Sequence, residues 1–245
     1  MTTRPALALA ALLLAPLGAG RVETARAGEA RAVVELFTSQ GCSSSPAADR
    51  VIAGLAHEPG LVVLSLPVDY WDYLGWKDTL AQPGFTARQR AYALARGDRR
   101  VFTPQVVVNG ATALVGSDRA ALAHTIALGS ALPVAVDVRE NGGTVAVEIG
   151  TAPSSAHASG TVWLLPIARE ERVAVGGGEN RGHTMTYVNV VRDLVRVGPW
   201  TGARTSFAVS GVVARPTGAD SYVVLLQAEG DGPGRVLGAA KGPGL

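Results

Sequence analysis

The chain has 245 residues, 47% of them hydrophobic, with 22 Lys and Arg against 20 Asp and Glu. That is the composition of a globular protein, with length for one large domain or two modest ones at ~100 to 200 residues each. A net charge of +2 with no Lys/Arg run excludes a nucleic acid held by a basic patch.

The N-terminus reads as an address. Arg4 precedes an Ala/Leu-rich run from Ala6 to Leu17, and Ala25-Arg26-Ala27 has the small-x-small pattern cut by signal peptidase. Residues 1–27 are therefore expected to be a signal peptide, and the protein to be exported, periplasmic or secreted. The apolar run is too short for a spanning helix, which needs ~20 residues, so no stable membrane anchor is expected after cleavage. Losing Arg4, Arg21, Arg26 and Glu23 removes three positive charges and one negative from the net +2, leaving a neutral mature chain.

Val33 to Phe37 reads as a buried strand and Pro46 to Ala56 as a helix, with Pro46 at its first position and Ser45 as N-cap. Between them lies Cys42, the only cysteine. A thiol beside a helix N-terminus meets unpaired N–H groups and the positive end of the dipole, which favour the nucleophilic thiolate. Leu61 to Leu66 is a second buried strand, and two such strands joined by a helix form a parallel βαβ unit. Parallel pairing brings the segment after Leu66 to the Cys42 edge. That segment, Pro67 to Asp78, holds Asp69, Tyr70, Trp71, Tyr73 and Trp76.

A helix is predicted over Thr86 to Arg96, ended by Gly97. Strands follow at Gln105 to Val108 and Thr112 to Val115, joined by the hairpin signal Asn109-Gly110. Ser117-Asp118 opens a last helix through about Leu128.

This β-α-β-α-β-β-α order, with Cys42-Ser43-Ser44-Ser45-Pro46 at the first strand-to-helix turn and Thr103-Pro104 opening the third strand, resembles a thioredoxin-like fold. The resemblance implies that Pro104 is cis and faces Cys42. The pieces VELFTSQGC, VDYWDYLGWKD, FTARQRAY, FTPQVVVNG, GENRGH and NVVRDL are similar to a more specific family, DUF1223, secreted bacterial proteins for which no reaction is implied. The family pattern is Cys-x-x-Cys, and Ser45 stands at its second position here. The implied architecture is a thioredoxin-like domain over residues 28–131 and a β-rich domain over residues 132–245.

The second half supports that division. Val134 to Val138, Thr144 to Ile149, Thr161 to Ile167, Tyr187 to Val191, Ser206 to Val213 and Tyr222 to Gln227 are strand-like and separated by Gly-rich turns. Many short strands with such turns predict an all-β antiparallel sandwich- or barrel-like domain.

Cys42 is the leading candidate for chemistry, with Ser45 and Pro104 completing the catalytic set. Cys-x-x-Ser can attack a disulfide and form a mixed disulfide, but it has no second thiol to resolve it. The expected client is a protein or low-molecular-weight thiol. The alternative is a binding protein that kept the fold and lost the reaction. Monothiol glutaredoxins share Cys-x-x-Ser, and that similarity places Thr103, Ser117 and Asp118 where glutathione contacts fall; Ser-Asp is equally an ordinary N-cap. Trp71 and Trp76 are candidates to grip a client or to plug the core, and Asp69 to accept the Cys42 proton. The four histidines show no metal-ligand spacing, and neither a metal nor a cofactor is expected.

Overall fold

Runs of β-branched and aliphatic residues dominate the computed structural model, which describes residues 30–153, 159–230 and 233–245. The expected leader, residues 1–27, lies outside the described residues. β1 (Ala32–Thr38) and β2 (Leu61–Pro67) are buried along their whole length. They pair in parallel, from Ala32 opposite Leu61 to Thr38 opposite Pro67. The crossover between them is α1 (Ser45–Leu55), followed after β2 by α2 (Pro83–Arg96). Gly97, at φ 77°, stops α2 in the left-handed conformation that glycine adopts without steric cost.

β3 (Gln105–Val108) lies antiparallel on the other side of β1, and β4 (Thr112–Val115) forms the sheet edge. Their turn has Asn109 at φ 51° and Gly110 at φ 66°, the paired positive angles that match strand twist in a tight hairpin. α3 (Arg119–Leu128) is capped by Asp118, whose carboxylate accepts from the Ala121 N–H at 3.0 Å.

The second half contributes β5 (Val136–Asn141), β6 (Thr144–Ile149), β7 (Gly160–Ala174), β8 (Thr184–Val191), β9 (Val195–Trp200) and β10 (Thr205–Ser210). The short helix α4 (Gly211–Ala214), β11 (Ser221–Ala228) and β12 (Val236–Lys241) complete it. Among the described residues, β5, β6 and β10 make a separate antiparallel sheet. The others extend the first-half sheet into nine strands, in the order β12-β11-β7-β8-β2-β1-β3-β4, with β9 also on β7. The protein is thus mixed α/β, with a large mixed sheet and a smaller antiparallel one.

The second half is almost entirely strand, but most of its strands join the first-half sheet rather than a sandwich or barrel of their own. The main sheet runs through the expected 131/132 joint, because β8 lies parallel to β2 with Val190 opposite Ser65. Side chains stitch that seam: Ser65 Oγ donates to the Val188 carbonyl at 2.8 Å, and Asn189 Nδ2 to the Val63 carbonyl at 3.0 Å. One core accordingly mixes both halves, with Phe37, Leu64, Phe85 and Tyr92 against Leu165, Ile167, Val223 and Leu225. The small antiparallel sheet shares a second core with the large one. Val145, Val147 and Ile149 of the small sheet pack on Val162, Leu164, Val224 and Leu226 of the large one.

A buried ion pair within the first half is tied to the second half through Gln227. Arg88 Nε donates to Glu35 at 2.7 Å, Tyr92 donates to the other Glu35 oxygen at 2.6 Å, and Gln227 Nε2 donates to the Tyr92 oxygen at 2.8 Å. Glu35 is fully buried, so its charge is tolerable only because both oxygens are bonded.

Candidate functional site

Cys42 sits on the polar turn between β1 and α1, and the turn is built largely from side chains. Ser39 Oγ accepts from the Gly41 N–H at 3.1 Å, and Ser45 Oγ accepts from the Ser39 N–H at 3.3 Å. Ser45 is therefore the first helical residue and bonds back into the turn, with Ser44 at the N-cap position. Gly41 lets the turn pack closely on Trp71, whose Cβ a side chain at 41 would meet at 3.0 Å. Parallel pairing of β1 with β2 explains the neighbours: the segment after β2 returns to the same sheet edge.

The thiol is 3% exposed, and its Sγ–H donates to the Thr103 carbonyl at 3.7 Å. The Thr103–Pro104 peptide is cis. Trp71 Nε1 donates to Thr103 Oγ1 at 2.7 Å, and its ring stacks on the exposed Tyr73 at 6.4 Å. Cys42, Thr103, Pro104 and Trp71 thus form one group. Tyr70 belongs with it. Among the described residues its hydroxyl is buried without a hydrogen-bond partner, and burial pushes its pKa up to about 12.

Other expected site residues are placed elsewhere. Asp69 accepts from Thr86 Oγ1 at 2.5 Å and serves the first turn of α2 rather than Cys42. Asp118 caps α3, the ordinary role for that residue type, while Ser117 is exposed beside it. Trp76 Nε1 donates to Gln40 Oε1 at 2.8 Å, and its ring covers Gly176, where a Cβ would lie 2.7 Å from the ring.

The largest departure from the sequence reading comes from the loop between β7 and β8. Asn180 Nδ2 donates to the carbonyls of Gln40 at 2.9 Å and Cys42 at 2.8 Å. Glu179 Oε2 accepts from the Ser43 N–H at 2.8 Å, and hydrogen bonding from Ser43 holds the Glu179 carboxyl below its ordinary range. The motif Glu179-Asn180-Arg181-Gly182 was visible in the sequence. Its target was not, because nothing local links it to a turn 138 residues away.

A second group missed by sequence reading lies behind the turn. Asp49 Oδ1 accepts from Thr38 Oγ1 at 2.9 Å, while its Oδ2 is buried with no partner among the described residues. Burial raises the Asp49 pKa to about 7, and the nearby Asp78 adds to the rise. Asp78 accepts from the Gln40 N–H at 2.7 Å and from the Leu80 and Ala81 N–H groups; burial raises its pKa as well. The signal available was Asp49 one helical turn beyond Ser45. Among the described residues no cluster of three or more His, Cys, Asp or Glu could hold a metal ion.

Fold and site together define a mixed α/β protein with one shielded thiol on a strand-to-helix turn, clamped by a loop from the far half of its sheet. The chain belongs to the DUF1223 family, described as "Protein of unknown function", which it matches over residues 33–227. It is similar to a crystal structure of an Agrobacterium tumefaciens protein, at 33% identity and a TM-score of 0.78, covering 89% of this chain and 96% of that one. A second solved structure, HBP35 of Porphyromonas gingivalis, is similar in fold alone: 10% identity and a TM-score of 0.56 over 87% of this chain and 74% of that one. Comparison with curated proteins returns no match.

Proposed function

We propose that this is an exported thioredoxin-like protein that uses Cys42 for thiol–disulfide exchange, capturing a protein or low-molecular-weight thiol as a mixed disulfide. The observation that carries the reading is the position of Cys42 Sγ, 3.7 Å from the Thr103 carbonyl at the turn between β1 and α1. The β2-β1-β3-β4 order around it supports the thioredoxin-like assignment. In the step proposed, the Cys42 thiolate attacks one sulfur of a client disulfide. The Cys42–client S–S bond forms, the client's own S–S bond breaks, and the other client sulfur leaves as thiolate. Ser45 offers no thiol to resolve the product, so an external thiol must release it.

Burial favours a second reading, a binding protein that kept the fold without the reaction: the thiol is 3% exposed and its proton is engaged. A non-reducing gel of the exported protein separates the two. Exchange predicts a reducible adduct that disappears in Cys42→Ala. A single unshifted band in both proteins refutes exchange and favours the binding role.

A further inference from the structure

The Cys42–Ser43 peptide is held at both of its polar ends by two consecutive residues from the other half of the chain. Asn180 Nδ2 donates to its carbonyl at 2.8 Å, and Glu179 Oε2 accepts from its N–H at 2.8 Å. The loop is pressed close by glycines: Gly178 lies against Gly41, and a Cβ at Gly177 would meet the Gly75 carbonyl at 2.9 Å. A backbone N–H next to a cysteine is one of the groups that stabilise a thiolate. Here a carboxylate occupies it and brings a negative charge of its own.

We propose that Glu179 and Asn180 form an autoinhibitory latch on Cys42, in which Asn180 fixes the turn and the Glu179 carboxylate opposes thiolate formation. The inference rests on the thiol reading of Cys42 but not on the existence of a client. Two kinds of force are separable. Asn180 acts through neutral hydrogen bonds that keep the turn closed over the thiol. Glu179 is exposed, so its charge acts through solvent and is weakened by salt. Tyr70 is an ionisable group beside the thiol, with Arg90 near it, and the exposed Arg181 follows the latch in sequence. Substitution at Glu179 leaves all three in place.

The test is the rate of Cys42 alkylation by iodoacetamide, a neutral reagent, in the folded full-length protein. Glu179→Gln keeps an acceptor for the Ser43 N–H and removes the charge. It is expected to raise the rate about threefold at low ionic strength, with the gain shrinking in concentrated salt. Asn180→Ala is expected to raise the rate by loosening the turn, with a gain that salt does not remove. An unchanged or slower rate in Glu179→Gln, or a gain indifferent to salt, overturns the proposal. If Glu179→Gln behaves as expected while no client adduct forms in cells, exchange fails and the latch stands.

Discussion

Asn180 donates through a single side-chain nitrogen to the carbonyl of Cys42 at 2.8 Å, although the two residues are 138 apart in the chain. The same nitrogen serves the Gln40 carbonyl at 2.9 Å. Asn180→Ala strands two acceptors in a site that is 5% exposed at the asparagine. The expected cost is about 1–3 kcal/mol, read as a lower urea midpoint with an unchanged m-value. A variant as stable as wild type would mean that water replaces the amide without penalty.

Asp49 makes stability depend on pH. Its folded pKa of about 7 lies above the ordinary 3.8, so the folded state binds a proton that the unfolded state releases. The resulting stability is fully present below pH ~4 and is lost as pH rises through about 7. Its size is at most on the order of 4 kcal/mol, since one pKa unit corresponds to about 1.4 kcal/mol. Asp49→Asn keeps an acceptor for Thr38 and cannot ionise. The variant is expected to melt higher than wild type at pH 8 and to have a flatter profile between pH 4 and 7; parallel melting profiles for the two proteins would contradict this.

Ser45 is fully buried, with its N–H donating to the Cys42 carbonyl at 3.1 Å. Ser45→Cys is expected to form a reducible internal disulfide with Cys42, seen as the loss of two hydrogens by intact-mass measurement. It also removes the Oγ that accepts from Ser39, so a modest loss of stability in the reduced variant is expected. Two persistently free thiols under oxidising conditions would show that this turn does not bring the positions within disulfide reach.

Arg88 and Glu35 test the buried ion pair of the first half. Arg88→Met alone leaves a buried carboxylate without its cation and is expected to cost about 3–5 kcal/mol. Adding Glu35→Met should recover part of that cost, because the charge requiring compensation is gone. A double variant as unstable as the sum of the single ones would show that the pair is not coupled.

Much of the first half was legible because its signals are local. β1 is a short run of buried β-branched and aromatic residues, Asn109-Gly110 supplies two positive φ angles, and Gly97 ends α2; each works through its immediate neighbours. The helix after Cys42 was legible for the same reason, from Pro46. β9 and β12 were not, since Val195–Trp200 is broken by Gly198 and Pro199 and Val236–Lys241 by Gly238, which weaken a strand pattern.

What alternation cannot state is which sheet a strand joins. β8 has the pattern of any half-buried strand; its parallel pairing with β2, and Ser65 and Asn189 reaching across to opposite backbones, seat it there. The amino-acid sequence by itself determined the βαβ start, the lone thiol at a helix N-terminus and the absence of a second thiol at Ser45. The tertiary structure decided that the two halves share one sheet, that Asp69 serves the start of α2, and that Glu179 and Asn180 close on the cysteine turn. The physical reason is separation along the chain: caps and turns are settled within a few residues, whereas a buried thiol's surroundings come from segments that meet only after the sheet has formed.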